Sequence, residues 1–393
     1  MTIVTVTGAS NSTVALSYDT AAAANLATQL AYAISQGVQA GTIKAAQSPG
    51  LPPPLPTGTV GLWAQTTPGL TVLPAGYADV SVADSVNGSA VAPGSRVIFG
   101  SGDANESILL GKAGVTFVAS AGSGTVAGGG GNDRIVIGGS SAGNWNITLG
   151  NGDDTVLATG TGTQIVNAGG GHNQIVLGAG PAQVQLGGDD TVSGGSGPAT
   201  IAGVGDTRAL VYGGSGDLTY IGGSEAATIF GGSGSDTFFG GSGPDIFHGG
   251  TAGNNLIMGG SGAATLYGGG NGDQLFAGSP TGQVLHAAGG NETLTGGSGN
   301  DTFFGSAGND TVRTGGGTDS FLFVNHQSGG TELIVDFNTA TEALTLQGYA
   351  AGEAANAFNT AKLVGGSSTV ITLSDNTQIT LQGITDLKQS NII

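Results

Sequence analysis

Between residues 128 and 322 the apolar positions recur every nine residues, each behind a glycine-rich turn. The order is Gly-Gly-x-Gly-x-Asp-x-(apolar)-x. It is intact at 128–136 (GGGGNDRIV), 231–239 (GGSGSDTFF), 240–248 (GGSGPDIFH) and 296–304 (GGSGNDTFF), with near copies between and beyond. A period of nine fits neither an amphipathic helix nor a plain alternating strand. It fits a turn followed by a three-residue strand whose middle residue points inward. The inward positions are then Ile135, Val156, Ile175, Val192, Ile201, Tyr220, Ile229, Phe238, Phe247, Leu266, Leu294, Phe303, Val312 and Phe321. Two nonapeptides make one coil, and coils stack by strand pairing ~4.8 Å apart. The predicted fold is all-β, a parallel β-solenoid.

The flanks break the period. Residues 1–47 read as a strand–helix unit. Thr2 to Thr7 alternates, Asp19 or Thr20 can cap a helix reaching Gln36, and Gly37 stands where a helix would stop. Residues 48–58 hold a stiff proline-rich linker with Pro52, Pro53 and Pro54 in a row. Residues 59–127 are a lead-in of short strands, with 100–110 (GSGDANESILL) as a degenerate first coil. The solenoid proper spans 128–322. In 323–393 the glycines thin out, and 332–349 and 368–384 read as alternating strands of a C-terminal β cap.

Composition narrows the picture. Glycine supplies 79 of 393 residues without a collagen-like period, so it serves turns. Acidic residues number 26 against 8 basic, a formal charge of −18, which excludes the basic footprint of a nucleic-acid binder. No apolar run is long enough to span a bilayer, and the first residues lack the pattern of a signal peptide. There are no cysteines, so in a secreted protein metal and packing would supply the stability. Two readings are left: a cytoplasmic protein, or export by a route that reads another part of the chain.

The repeat carries its own chemistry. A glycine turn exposes carbonyl oxygens, the Asp adds a carboxylate, and such hard oxygen ligands suit Ca²⁺; a repeat of this form is a calcium-binding β-helix signature. The candidate metal ligands are Asp133, Asp154, Asn173 and Asp190 in successive coils of one edge, Asp301 with Asp319 toward the C-terminal end of that edge, and Asp245. On the other edge Asp236, Asn254, Asp273, Glu292 and Asp310 line up. Asp301 with Asp319 reads as the best single site, against a plainer role for each Asp as a cap of its glycine turn. Ala199, Ala227 and Ala264 stand where an Asp is expected, so their turns lack a ligand. No catalytic set is visible: none of the four histidines precedes a Glu, and no strand–loop–helix surrounds the Gly-x-Gly strings.

Over residues 128–349 the chain resembles the repeats-in-toxin (RTX) family of exported Gram-negative proteins. The intact nonapeptides, the acidic bias, the absence of cysteine and the Val335-Asp336-Phe337 strand carry the resemblance. It implies a β-roll loaded with calcium outside the cell, and a non-cleaved type I secretion signal within 323–393. Residues 1–127 resemble no toxin or enzyme domain.

Outward positions point to an interface. Val136, Val176, Ile221, Phe230, Phe239, Tyr267, Phe276 and Phe304 face away from the core, and a Thr follows many of the Asp positions. The reading is a non-enzymatic, secreted, calcium-binding structural protein, extracellular or at the cell surface. It self-assembles as a homo-oligomer or filament into a fibre, surface layer or matrix, with matrix polysaccharide or a cell surface as a further partner. The stiff linker would let the N-terminal unit reach a neighbouring molecule. The alternatives are a calcium-dependent adhesin or ice-binding module on the outer strand face, or an enzyme or effector within 1–127.

Overall fold

The computed structural model describes the chain except residues 1, 8–12, 19, 48–50, 67–68, 75, 83–95, 101–104, 113, 206, 252 and 328. Asp19, part of the proline-rich linker and part of the degenerate first coil therefore lie outside the described residues. The chain forms two compact units, 1–209 and 210–393.

In both units strands pair in parallel with the next strand but one, the signature of a two-sided coil. In residues 210–393, Leu218–Ile221, Thr237–Phe239, Leu256–Met258, Gln274–Phe276 and Thr293–Thr295 follow one another on one face. Ala227–Phe230, Ile246–His248, Thr265–Gly269, Val284–Gly290 and Thr302–Phe304 follow one another on the other. Each three-residue strand of these two faces buries only its middle side chain, and all fourteen inward positions read from the repeat are buried. The faces meet through large rings such as Phe238 and Phe247, with centroids 5.5 Å apart, while Phe303 and Phe321 stack at 5.2 Å between successive coils of one face. Burying one such side chain contributes about 2 kcal/mol. A strand this short depends on its neighbours above and below.

The turns need glycine for a visible reason. Gly232 has φ +120°, and a Cβ there would strike the carbonyl oxygen of Gly214 in the coil beneath. Gly250 meets Gly232, and Gly269 meets Gly250, in the same way. The second glycine of the repeat is thus a column in which backbone lies directly on backbone.

In residues 1–209 the parallel stack begins well before residue 128. Ile43–Gln47 pairs with Val60–Gln65, which pairs with Asp79–Val82, and that with Glu106–Leu110. These short strands are coils whose glycine repeat has been lost. The helix runs Ala21–Ala40, capped by Thr20, whose Oγ1 accepts from the Ala23 N–H at 3.2 Å. It ends at Gly41, with φ +76°, rather than at Gly37. Gly37 serves packing instead, because Ile43 fills the space a Cβ would need.

The N-terminal unit also does not reach outward. Val4, Val6, Leu16, Tyr18 and the helix alanines form one core with Leu62, Ala64, Leu109 and Ala127 of the first coils. The Tyr77 hydroxyl donates to the Pro53 carbonyl at 2.7 Å, tying the proline stretch to the coils. The expectation that the unit extends to a neighbouring molecule is corrected: its apolar helix face finds cover within its own chain.

The C-terminal region closes the other unit. Gly329–Ile334 and Ala343–Gln347 continue the parallel stack, and Gln378–Leu381 pairs with the former. Ser368–Thr372 folds back on Gln378–Leu381 as a hairpin, with Asn376 at φ +71° in its turn. The edge of Ala343–Gln347 is covered by the chain end: Leu346 N–H donates to Ile393 O at 2.8 Å, and Ile393 N–H to Leu344 O at 2.9 Å. A covered edge offers no template for another strand. The short helix Glu353–Thr360 is an element the alternation did not announce.

Candidate metal centre

The ligand position lies two residues before each inward apolar residue, buried at the corner where turn becomes strand. In residues 210–393 it forms two columns. One runs Leu218, Asp236, Asn255, Asp273, Glu292, Asp310, Glu332; the other runs Ala227, Asp245, Ala264, Gln283, Asp301, Asp319, Glu342. The acids among them are at most 4% exposed. In residues 1–209 Asp133, Asp154, Asn173 and Asp190 stand in one column, as expected.

A shared hydrogen bond builds these columns. The backbone N–H of each position donates to the carboxylate of the next coil: Leu218 to Asp236 Oδ1 at 2.8 Å, Asn255 to Asp273 Oδ1 at 2.8 Å, Glu292 to Asp310 Oδ1 at 2.8 Å, Asp301 to Asp319 Oδ1 at 2.7 Å. One oxygen of each of these aspartates is therefore committed to holding coils together.

The second oxygen separates the sites. Asp245 Oδ2 accepts the Gly241 N–H at 3.0 Å, Asp301 Oδ2 the Gly297 N–H at 2.9 Å, and Asp190 Oδ2 the Gly187 N–H at 3.2 Å. These acids cap their own glycine turns. Asp310 Oδ2 accepts from the Ser306 hydroxyl at 2.7 Å. By contrast, Oδ2 of Asp236, Asp273 and Asp319 and both side-chain oxygens of Glu292 are buried with no hydrogen-bond donor. A buried carboxylate oxygen without a donor is costly unless a cation meets it.

Electrostatics agree. Burial, helped by the Asp217 and Asp273 charges, pushes Asp236 up to about 6. Burial pushes Asp319 up to about 6, Glu342 to about 7 and Glu332 to about 8. Burial, with Asp310 beside it, also holds Glu292 far above the usual carboxylate range. Two unit charges ~4.8 Å apart repel by about 3.5 kcal/mol at an effective dielectric near 20. Among the described residues no three acidic or histidine side chains converge on one point. An ion here must draw most of its ligands from turn carbonyls, as oxygen-seeking Ca²⁺ can.

Asn254 does not occupy its expected place. It is exposed at φ +65°, and Asn255 takes the buried position, its Oδ1 accepting the Asp236 N–H at 2.8 Å. The turn beginning at Gly249 is one residue longer than its neighbours, which moves the register. Glu332 and Glu342 are acids of the same columns that the repeat did not reveal. Their signal is an acid two residues before an inward Ile334 or Leu344, after the glycines have gone.

The comparisons with known proteins bear on the same region. The family model of the RTX calcium-binding nonapeptide repeat (4 copies) matches residues 116–139, 186–201, 221–251, 249–279 and 286–321. No curated protein matches the chain. Among solved structures, the extracellular lipase LipA from Serratia marcescens aligns at 19% identity over 50% of this chain and 40% of the lipase, with a TM-score of 0.26. The chain thus spans well under half of that lipase, and the likeness says nothing of an activity. Repeat match and parallel solenoid agree: the repeats matched between residues 116 and 321 are RTX repeats of the calcium-binding class, on parallel stacked strands.

Proposed function

We infer that this is a secreted structural protein which, once loaded with calcium, associates laterally with copies of itself in an extracellular fibre, layer or matrix. RTX repeats are typical of secreted proteins, and no helix among the described residues is long and apolar enough to cross a membrane. Export through a type I signal within 323–393 belongs to the same reading. The ions would lie at the turns of Asp236, Asp273, Glu292 and Asp319. Asp190, Asp245, Asp301 and Asp310 act first as caps and coil ties.

The observation that carries the assembly reading is a pair of outward apolar columns in residues 210–393. Ile221, Phe239, Met258 and Phe276 line up on one face, with Ile221 44%, Phe239 37% and Met258 38% exposed. On the other face Tyr212, Phe230, His248, Tyr267, His286 and Phe304 form a continuous ring stack, with successive centroids 5.3, 4.7, 4.5, 4.3 and 3.9 Å apart. Rings stacked face to face leave only their edges outward, which suits another apolar sheet better than a planar ligand. The threonines do not favour ordered water or ice: Thr219 and Thr237 are followed in their column by Leu256 and Gln274.

Light scattering of purified protein in calcium tests this. Growth of ordered particles that Phe239→Ser with Met258→Ser abolishes is expected. A protein that stays monomeric at high calcium and high concentration refutes the assembly and leaves adhesion by a single molecule.

A further inference from the structure

At the ligand position Gln164 and Gln283 carry an amide instead of a carboxylate, and both are 1% exposed. Gln283 Nε2 donates to the carbonyls of Gly260 at 3.2 Å and Gly262 at 3.0 Å. Gln164 Nε2 donates to the carbonyls of Gly162 at 3.0 Å and Gly143 at 3.4 Å. Two carbonyl oxygens converging from glycine turns are what an oxygen-seeking cation uses. Here the two N–H groups of a primary amide take both. The turn holding Gly260 and Gly262 leads into Ala264, so it has no carboxylate of its own. Asn255 and Asn173 each reach a turn carbonyl with the amide nitrogen, and Asn173 Nδ2 also donates to Asp190 Oδ1 at 2.8 Å. Asn255 Nδ2 donates to Gly249 O at 2.9 Å, and Asn173 Nδ2 to Ala168 O at 3.1 Å.

The amide orientation follows from these partners. Turned over, the amide oxygen would face two carbonyl oxygens with no donor between them. Oε1 of Gln164 and Gln283 has no hydrogen-bond partner as it stands, so the donor side is what holds the side chain in place.

We propose that Gln164 and Gln283 are built-in replacements for calcium: their amide nitrogens occupy the cation position of turns that lack a carboxylate. This rests on calcium binding at the acid turns. The solenoid then contains turns that close without metal beside turns that require it. Loss of calcium loosens the acid turns first, while the glutamine turns persist as anchors.

Calcium counting by equilibrium dialysis on the full chain tests the assignment, with wild type, Gln283→Glu and Gln283→Met compared. Gln283→Glu restores a carboxylate and binds one more ion than wild type. Its melting temperature should rise by about 5 °C more than wild type's on going from chelator to calcium. Gln283→Met removes the donors, leaves the ion count unchanged, and lowers the melting temperature equally with and without calcium. An unchanged count in Gln283→Glu overturns the proposal. So does loss of an ion in Gln283→Met, which would make the glutamine an oxygen ligand. The wild-type count is a separate reading: a chain that binds no calcium defeats the calcium sites, whereas a gain in Gln283→Glu still places the amide at a cation position. If Gln283→Glu does not fold, Gln164→Glu in residues 1–209 gives the same two readings.

Discussion

The ligand-position carboxylates of residues 210–393 arise from the same repeat and differ, within each column, in what finishes them. Asp245 and Asp301 have both oxygens taken by backbone N–H groups, one from the coil beneath and one from their own turn. Asp236 and Asp273 have one oxygen tied and the other buried without a donor. The first pair is complete with protein groups alone. In the reading proposed above, a cation completes the second pair. Carboxylates in one family of turns can thus serve two purposes, and the second hydrogen bond tells them apart.

Calcium removal breaks the comparison most widely. Each ion bound only to the folded state at a hundredfold excess over its dissociation constant adds about 2.7 kcal/mol, and several such turns stack in one column. Circular dichroism in chelator should show loss of strand signal and a lower melting temperature. A spectrum and melting curve unchanged by chelator would mean that the open carboxylates are tolerated without metal.

A steric change separates geometry from charge. Gly232→Ala puts a Cβ against the Gly214 carbonyl at a φ that side chains rarely adopt. It should cost about 3 kcal/mol. Because no ligand is altered, thermal melting should show the same loss in calcium and in chelator. A loss confined to the calcium state would mean that the turn changes shape around its ion.

Acidification reads the buried acids by its sign. Folded values of about 6 for Asp236 and about 8 for Glu332 lie above the ordinary 3.8 and 4.5. The folded chain thus holds protons that the unfolded chain has released. This contribution is full below the ordinary carboxylate range and is lost as pH rises through the folded values. In chelator, stability should fall between pH 5 and pH 8. In calcium the trend should reverse, since protons then compete with the ion. Parallel trends in the two media would show that no cation meets these acids.

The inward residues were legible because glycine spacing marks every turn, and Ile135 through Phe321 follow by counting. Asn255 was hidden by one extra residue in its turn, which shifts the count and brings Asn254 forward in its place. Glu332 and Glu342 were hidden because the glycines end before them while the strand stack continues. Gln164 and Gln283 were hidden because a search for ion ligands looks for acids, and the amide does the ion's work from the same position. The open or capped state of a carboxylate was not legible at all. The stretches 231–236 and 240–245 differ at one residue, Ser235 against Pro244, yet only the second turns a glycine N–H onto its Asp.

The central claim is that open carboxylates bind calcium and capped ones hold turns. Its most direct test is a calorimetric calcium titration of wild type, Asp273→Asn and Asp301→Asn, each verified as folded in calcium. Asp273→Asn should bind fewer ions than wild type. Asp301→Asn should keep the wild-type count and lose only about 1 kcal/mol of stability with its cap. Equal losses of calcium in both variants, or a loss in Asp301→Asn alone, would contradict the account.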